Sequence, residues 1–420
     1  MSIITASAST GSALPLTDSI RTQYQSNYED EVYFARLYDQ LAMPLAGDMS
    51  ELIRGSSQQV NYLSKMNPGT TAISEVYDLT PQAIAEATAS VTPTSRGEAI
   101  QISQQLEIQN FLDNFMPKLV KMVAENADES LDVLARDKAC QGKLVHRTAA
   151  RASIDAGTTG HRMTENKFAM AAATLSDLNA PMFQGAGPGE NAQGRWAAIT
   201  NPFVFSDLRQ DGSIVAVGQY QQAGIHLNWE LGEIGNFRIL VHSRAKVFYG
   251  AGDDQAIIVA TTLGTATSKL DTTITVASIT HFANVEAAKA WINIGTEETG
   301  DTTHYADNER VKTAGYTGST VTIVGQAPNG GLRFAHAAGA AVRNADSVHT
   351  VVFGGPSSLV KVFAPSVGEF GEIVGPKRDG IVDQFWTLGW KWWGGYARLA
   401  ENRLLREEVS VSDESTHTTA

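Results

Sequence analysis

The chain has one cysteine, Cys140, in 420 residues. That excludes an intramolecular disulfide and any cysteine-built metal site, and it fits a reducing compartment. No apolar run reaches the ~18 residues of a membrane-spanning helix. Met1 to Leu16 has neither the basic start nor the apolar core of a secretory signal. The expectation is a soluble protein made in a cytoplasm. Basic residues are also in deficit, with 32 Lys and Arg against 45 Asp and Glu and a net charge of −13. Sequence-independent grip on nucleic acid needs a Lys/Arg excess that releases counterions, so that class is disfavoured. A protein that merely surrounds nucleic acid is not.

Reactive constellations are equally scarce, and the expectation is no catalytic, cofactor or metal residue. His146, His161, His226, His242, His281, His304, His336 and His349 stand singly or without a ligand partner at i+4. Asp253-Asp254, Glu297-Glu298 and Asp301 could meet a hard cation, but no loop has the spacing of a calcium site. Gly185 to Arg195, GAGPGENAQGR, invites a phosphate-loop reading. It lacks the Gly-Lys-Ser/Thr ending and a helix N-terminus directly after it. There is no Gly-x-Ser-x-Gly elbow, and nothing pairs Cys140 with a base.

What is present is patterned apolar sequence: 43% of residues are hydrophobic, the composition of a folded protein, and the length calls for two or three cores. Four of the seven tryptophans, Trp386, Trp390, Trp392 and Trp393, crowd into Gly375 to Val411, alternating with small or polar residues as in a half-buried strand. So much aromatic area belongs in a core, so the end of the chain should close a domain begun far upstream. From Thr17 to about Leu45, Ile20, Tyr24, Tyr28, Val32, Ala35, Tyr38 and Leu41 make one helical face, as easily laid on a neighbouring subunit as on its own domain. Gln58 to Gln109 reads as strand, excursion, strand, with QQVNYLSKM as the outgoing arm and GEAIQISQQLEIQNF as the return. The Pro/Thr/Ala/Ser-rich excursion Asn67 to Arg96 cannot fill a core and fits a loop that reaches across a neighbour.

A helix is expected from Asp113 or Asn114 to about Gln141, with Pro117 in its first turn, roughly 40 Å long at ~1.5 Å per residue. Arg136 to Lys167 carries seven basic residues against three acids, read either as a solvated loop or as an inter-subunit charge patch. A helix capped by Thr164 follows, then a short buried strand at Trp196 to Ile199. Next come a helix Phe203 to Arg209 opened by Asn201-Pro202 and a strand Arg238 to His242. Composition shifts at Gly250. Asp253 to Ala345 has alternating runs at Thr272 to Ala277, Ala290 to Ile294, Arg310 to Thr313 and Ser319 to Val324, an autonomous inserted β module.

In order, NPFVFSDLRQD, GEIGNFRILVHSRAKVF, VVFGGPSSLVKVF and TLGWKWWGGYARLAENRL resemble the second half of a tailed-phage major capsid protein. The Asn-Pro turn into a helix ending Asp-Leu-Arg (Asn201 to Arg209), the Gly-x-x-Gly turn and strand (Gly232 to Val241) and Gly-Trp-Lys (Gly389 to Lys391) are similar to the coliphage N-four-type coat proteins. The resemblance implies an α+β Hong Kong ninety-seven-like fold. It implies an N-terminal arm (1–55), an extended loop (56–110), a peripheral domain with a spine helix (111–195), an axial domain (196–252 and 346–374), peripheral closing strands (375–411) and a polar tail (412–420). The inserted β domain (253–345) departs from the family, where a short link is common.

It further implies a non-enzymatic shell subunit forming hexamers and pentamers around double-stranded DNA without sequence-specific binding, in a virion assembled in a host bacterial cytoplasm. Its partners would be copies of itself, a portal and a separately encoded scaffolding protein (only about fifty residues precede the loop), and the insert should lie on the outer face, stabilising the shell or receiving a decoration protein. The autocatalytic cross-link of one member of the fold class does not transfer, since no motif identifies its residues. The alternative from the residues alone is a β-rich virion appendage that binds or degrades polysaccharide. The tail from Ser412 is expected to order only on a partner.

Overall fold

The structure is a computed structural model, and it describes residues 25, 37–45, 57–63, 70, 83–84, 86–105, 115–183, 194–210, 215–216, 230–253, 261–279, 289–295, 308–325, 327–379, 384–412 and 418–419. Its central element is helix α1, Phe115–Cys140. Pro117 lies in the first turn, where its missing N–H would have had no helical partner in any case. Leu119, Val123, Ala127, Leu131, Ala135 and Ala139 form an apolar stripe buried in the largest core.

One side of that core is the sheet around Phe385–Arg398, a 14-residue strand. Trp386, Leu388, Trp390, Trp392 and Tyr396 point into the α1 core, while Lys391 and Trp393 are exposed. Thr94–Ser103 pairs antiparallel with this strand, setting Ile102 opposite Trp386 and Ile100 opposite Leu388. Glu372–Asp379 and Leu359–Phe363 also pair with it antiparallel, and Ala42–Leu45 adds parallel to Leu359–Phe363. A side chain at Gly394 would meet the Trp392 ring and Val362 O, so only glycine lets the ring lie there.

The second sheet runs in the order Val145–Arg147, Leu404–Val409, Val348–Gly354, Trp196–Thr200, Phe237–Val241, Glu230–Ile234, Val215–Ala216, with Val247–Phe248 also on Val348–Gly354. Both of its faces are covered. Ala197, Ile199, Leu240, Val352 and Leu404 face the α1 core. Trp196, Phe237 and Phe353 face helices α2 (Glu165–Asp177) and α3 (Pro202–Gln210). Phe168 of α2 meets Phe353 and Phe237 edge-on at 5.3 and 5.7 Å. Asn201 opens α3 as expected, its Oδ1 accepting the Phe203 N–H at 2.9 Å. Thr164 occupies the first position before α2 but makes no side-chain cap. Gly235, at φ +54°, supplies the first residue of the tight turn into Phe237–Val241.

The inserted segment contains strands at all four expected runs, with two more, Thr261–Thr262 and Ala341–Arg343. Six strands pair in sequence, and the ring is closed by Gly264 N–H to Thr275 O and Ala277 N–H to Thr262 O, both 2.8 Å. This is a small β-barrel with its own core, including Ile274, Ile292, Ile294, Val311, Ile323 and Val342.

Three expectations are corrected. The helix read from Thr17 to Leu45 falls mostly outside the described residues, but its end is a 3₁₀ turn, Asp39–Leu41, and then the strand Ala42–Leu45. Pro44 explains this, since it has no donor and disfavours helix at the preceding residue. The partner of Gln58–Leu63 is Glu86–Val91 rather than GEAIQIS, which instead joins the tryptophan sheet. Ala87, Ala89 and Val91 are too small to signal strongly, yet Ala89 and Val91 are buried. Finally, Thr418–Thr419 of the tail pair with Lys289–Ala290 of the same chain.

The adjacent tryptophans give a sharp test. Trp392 is 1% exposed and Trp393 is 42% exposed. Trp392→Ala should cost about 3–5 kcal/mol and Trp393→Ala less than about 1 kcal/mol in denaturant unfolding of the subunit. Because Gly252 N–H bonds Asp346 O and Asp346 N–H bonds Asp253 O, the barrel's two connections lie side by side. Replacing 253–345 by a short Gly/Ser link should therefore leave a soluble body with a cooperative thermal transition; an insoluble product would show that the barrel is needed for folding.

Candidate functional site

The densest polar chemistry lies where the N-terminal arm meets α1. Asp132, buried on α1, accepts the backbone N–H groups of Leu37, Tyr38 and Asp39 on one oxygen, at 3.0, 2.6 and 3.3 Å. Asp39 in turn takes Lys361 Nζ at 3.2 Å and the Tyr396 hydroxyl at 2.7 Å. Arg244 reaches Asp128 at 2.7 Å and Asp132 at 3.7 Å. Burial raises the Asp132 carboxyl above its usual range against the opposing pull of Arg244 and the arm amides. His242 Nδ1 accepts the Arg244 N–H at 3.1 Å; burial, and then the Arg244 charge, press its pKa down to about 4. The arrangement fastens an arm to the body and does not aim a reactive group at a cavity.

The basic stretch Arg136 to Lys167 folds onto its own chain. Leu404–Val409 carries Arg406, Glu407 and Glu408 into the second sheet, all buried. Glu408 receives Arg147 and Arg151, the latter at 2.7 Å, with Arg406 at 3.0 Å. Lys167 stands 3.8 Å and His146 3.6 Å from Glu407. Arg136 bonds Asp137 and Arg244 O. Neither a solvated loop nor an inter-subunit patch describes these groups. A buried strand with two adjacent carboxylates requires compensation, and the basic loop supplies it. Although burial works against it, the Arg151 and Arg147 bonds and the Arg406 charge hold Glu408 below its ordinary range. Glu407 has weaker partners, and burial lifts it to about 7.

The remaining candidates do not converge. His161 accepts the Asp155 N–H, His336 pairs with Glu309 at 2.9 Å, and His349 is buried in Val348–Gly354 against Phe203. His226, His281, His304, Asp254, Glu297, Glu298, Asp301 and most of Gly185 to Arg195 lie outside the described residues. Cys140 is buried in the α1 core, where burial pushes its thiol pKa up and away from reactivity. Among the described residues no three potential ligands cluster around a common point, and no helix is long and apolar enough to cross a membrane.

No protein-family model matches the chain, and no curated protein matches it. Solved structures do. A chain from the capsid of Ralstonia phage GP4 is similar over 85% of this chain and 84% of its own, at 10% identity and a TM-score of 0.50. The chain has the Hong Kong ninety-seven-like capsid fold. Chains from the capsids of cyanophages P-SCSP1u and Pam1 are also similar, at 11% and 10% identity and TM-scores of 0.48 and 0.46, covering 98% and 89% of this chain and 93% and 89% of theirs. The long helix expected from Asp113 or Asn114 to about Gln141 is α1, and it packs on the sheet around Phe385–Arg398. Sequence reading missed the Asp132 anchor and the Glu407-Glu408 pair. A signal existed in each: aspartates spaced four apart on the apolar helix at Asp128 and Asp132, and acids interrupting an apolar run at Leu404–Val409.

Glu407 yields a pH prediction. Its pKa is 4.5 unfolded and about 7 folded, so the folded state holds the proton more tightly. Its stabilising contribution is full below about pH 4.5 and is lost as pH rises toward 7, by roughly 3 kcal/mol at most. His242 and Glu408, both depressed, act in the opposite sense. Comparing Glu407→Gln with the parent isolates the one group: the two should melt together near pH 4.5, and the variant should melt higher at pH 8. An equal response of both proteins to pH would refute the assignment.

Proposed function

We propose that this chain is the major capsid protein of a tailed double-stranded DNA phage, a tile that self-assembles through hexamers and pentamers into an icosahedral head. One observation carries the proposal: the likeness to the GP4 capsid chain runs over nearly the whole of both chains, so it is not a shared fragment. The motif set at Asn201 to Arg209, Gly232 to Val241 and Gly389 to Lys391 supports placing it with the coliphage N-four-type coat proteins. In this reading the arm is 1–55, the extended loop 56–110, the peripheral domain 111–195 with 375–411, the axial domain 196–252 with 346–374, and the tail 412–420, with strands exchanged between the two domains: Leu359–Phe363 joins the tryptophan sheet and Leu404–Val409 the sheet of Trp196–Thr200. The barrel, 253–345, faces outward, stabilising the shell or receiving a decoration protein. A separate scaffolding protein and a portal complete the assembly, and no step is catalytic.

The physics of the chain suits this role. The arm is fixed to the body at Leu37 to Leu45, and Gln25 donates to Gly371 O and accepts the Ile373 N–H of the same chain. The hairpin Gln58–Leu63/Glu86–Val91 is likewise rooted, with Val60 and Val91 packed on Val360, Val362 and Ala397. Many such modest apolar contacts, repeated by symmetry, give a shell its stability. An acidic wall also avoids gripping the DNA it must admit and release.

Negative-stain microscopy and sedimentation of the purified protein provide the test. Shells of megadalton mass are expected. A stable monomer, or small rings and trimers at high concentration with scaffolding protein present, would overturn the proposal.

A further inference from the structure

Besides the tail strand Thr418–Thr419 on Lys289–Ala290, the described residues of the inserted barrel meet the body at two places of different character. Its root is rigid. Gly252 N–H bonds Asp346 O at 2.8 Å, Asp346 N–H bonds Asp253 O at 2.9 Å and Asp253 N–H bonds Ile154 O at 3.0 Å. The buried Asp346 carboxylate accepts the Ala156 N–H at 2.8 Å. A side chain at Gly252 would lie 2.7 Å from Ile154 O, so the backbone there is packed to contact. A barrel on such a root cannot swing freely.

The second place is a foot. Glu309, 2% exposed, accepts the backbone N–H groups of Arg333 and Phe334 at 2.8 and 3.1 Å and contacts His336 Nε2 at 2.9 Å. One buried carboxylate thus shapes the loop 333–336. The loop presents Arg333 to Glu129 of α1, with Arg333 donating to Oε1 at 3.1 Å. The Arg333 and Glu129 side chains are 45% and 43% exposed. Open clefts of about 900 and 340 Å³ flank the contact, and Glu129, Arg333 and Phe334 line both. The foot is therefore thin and wet, in contrast with the root. It touches α1 one residue from Asp128, which holds Arg244, and one turn from Asp132, which holds the arm.

We infer that the barrel is an intramolecular brace whose foot, Arg333 on Glu129, steadies the turn of α1 that anchors the N-terminal arm. The inference concerns a single subunit and does not rest on the capsid reading. The ion pair is exposed and of modest strength, so the brace can be released without unfolding either part. Anything bound to the barrel that shifts its foot then changes how firmly the arm is held.

Hydrogen–deuterium exchange of the full chain tests this, using Glu129→Lys, Arg333→Glu and the double reversal. Both side chains are exposed, so the substitutions spare folding. Each single reversal should speed exchange about two- to fivefold in peptides covering 126–134, 331–336 and 37–41, with barrel strands 309–324 unchanged. The double reversal should restore the parent rates. Unchanged exchange in 126–134 or 37–41 after the single reversals, or no recovery in the double, would overturn the inference.

Discussion

The constraint on which the rest depends is that the second half of α1 has almost no solvent face. Between Asp128 and Cys140 nearly every residue is buried or half-buried, including Asp128, Asp132, Arg136 and Asp137. The tryptophan sheet lies on one side and the second sheet on another. A helix so enclosed must neutralise its own charges internally, because an isolated buried carboxylate costs several kcal/mol. Three of these groups therefore recruit a distant segment, Asp132 the arm, Asp128 the loop at Arg244, Arg136 the carbonyl of Arg244, while Asp137 is held by its neighbour Arg136. The polar groups of α1 specify which pieces of chain come together there, while its apolar stripe provides most of the driving force.

The same logic repeats at Leu404–Val409. The strand lies between Val348–Gly354 and Val145–Arg147, and Glu407 and Glu408 are both buried. The stretch 148–164 has little regular structure beyond two 3₁₀ turns, and Arg151 within it is held by charge. Glu408, with three arginines, is well compensated; Glu407, facing a lysine and a histidine at longer range, is not. That asymmetry makes one member of an adjacent pair a stabiliser at neutral pH and the other a liability.

The legible parts of the sequence were those whose periodicity is carried by large side chains. Helix α1, the tryptophan strand, the strands at Trp196 and Phe237 and the barrel runs all follow from spacing of Leu, Ile, Val and Trp. Small residues and long-range pairing hid the rest. Glu86–Val91 is built on alanines and threonines, so its claim to pair with Gln58–Leu63 was outweighed by the stronger alternation of Ile100 and Ile102, which belongs to another sheet. The stretch Val348 to Phe363 reads as one apolar run, yet its halves enter different sheets on either side of a turn containing Ser357 at φ +57°. Nothing local distinguishes them. The arm anchor was invisible for a related reason, since Asp132 acts through the backbone amides of residues more than ninety positions away.

The two sheets and α1 also explain how a ninety-residue module can be accommodated at Asp253. The insertion leaves the body through residues that are already hydrogen-bonded to each other, so the strands on either side, Val247–Phe248 and Val348–Gly354, remain paired. Closing the barrel, with Thr418–Thr419 covering the Lys289–Ala290 end of one strand, reduces the usual hazard of adding β-structure to a chain. An open sheet at the same position would offer unpaired strands to every neighbouring copy. A closed ring on a rigid root instead adds a folded mass that meets α1 through exposed groups such as Arg333 and Glu129.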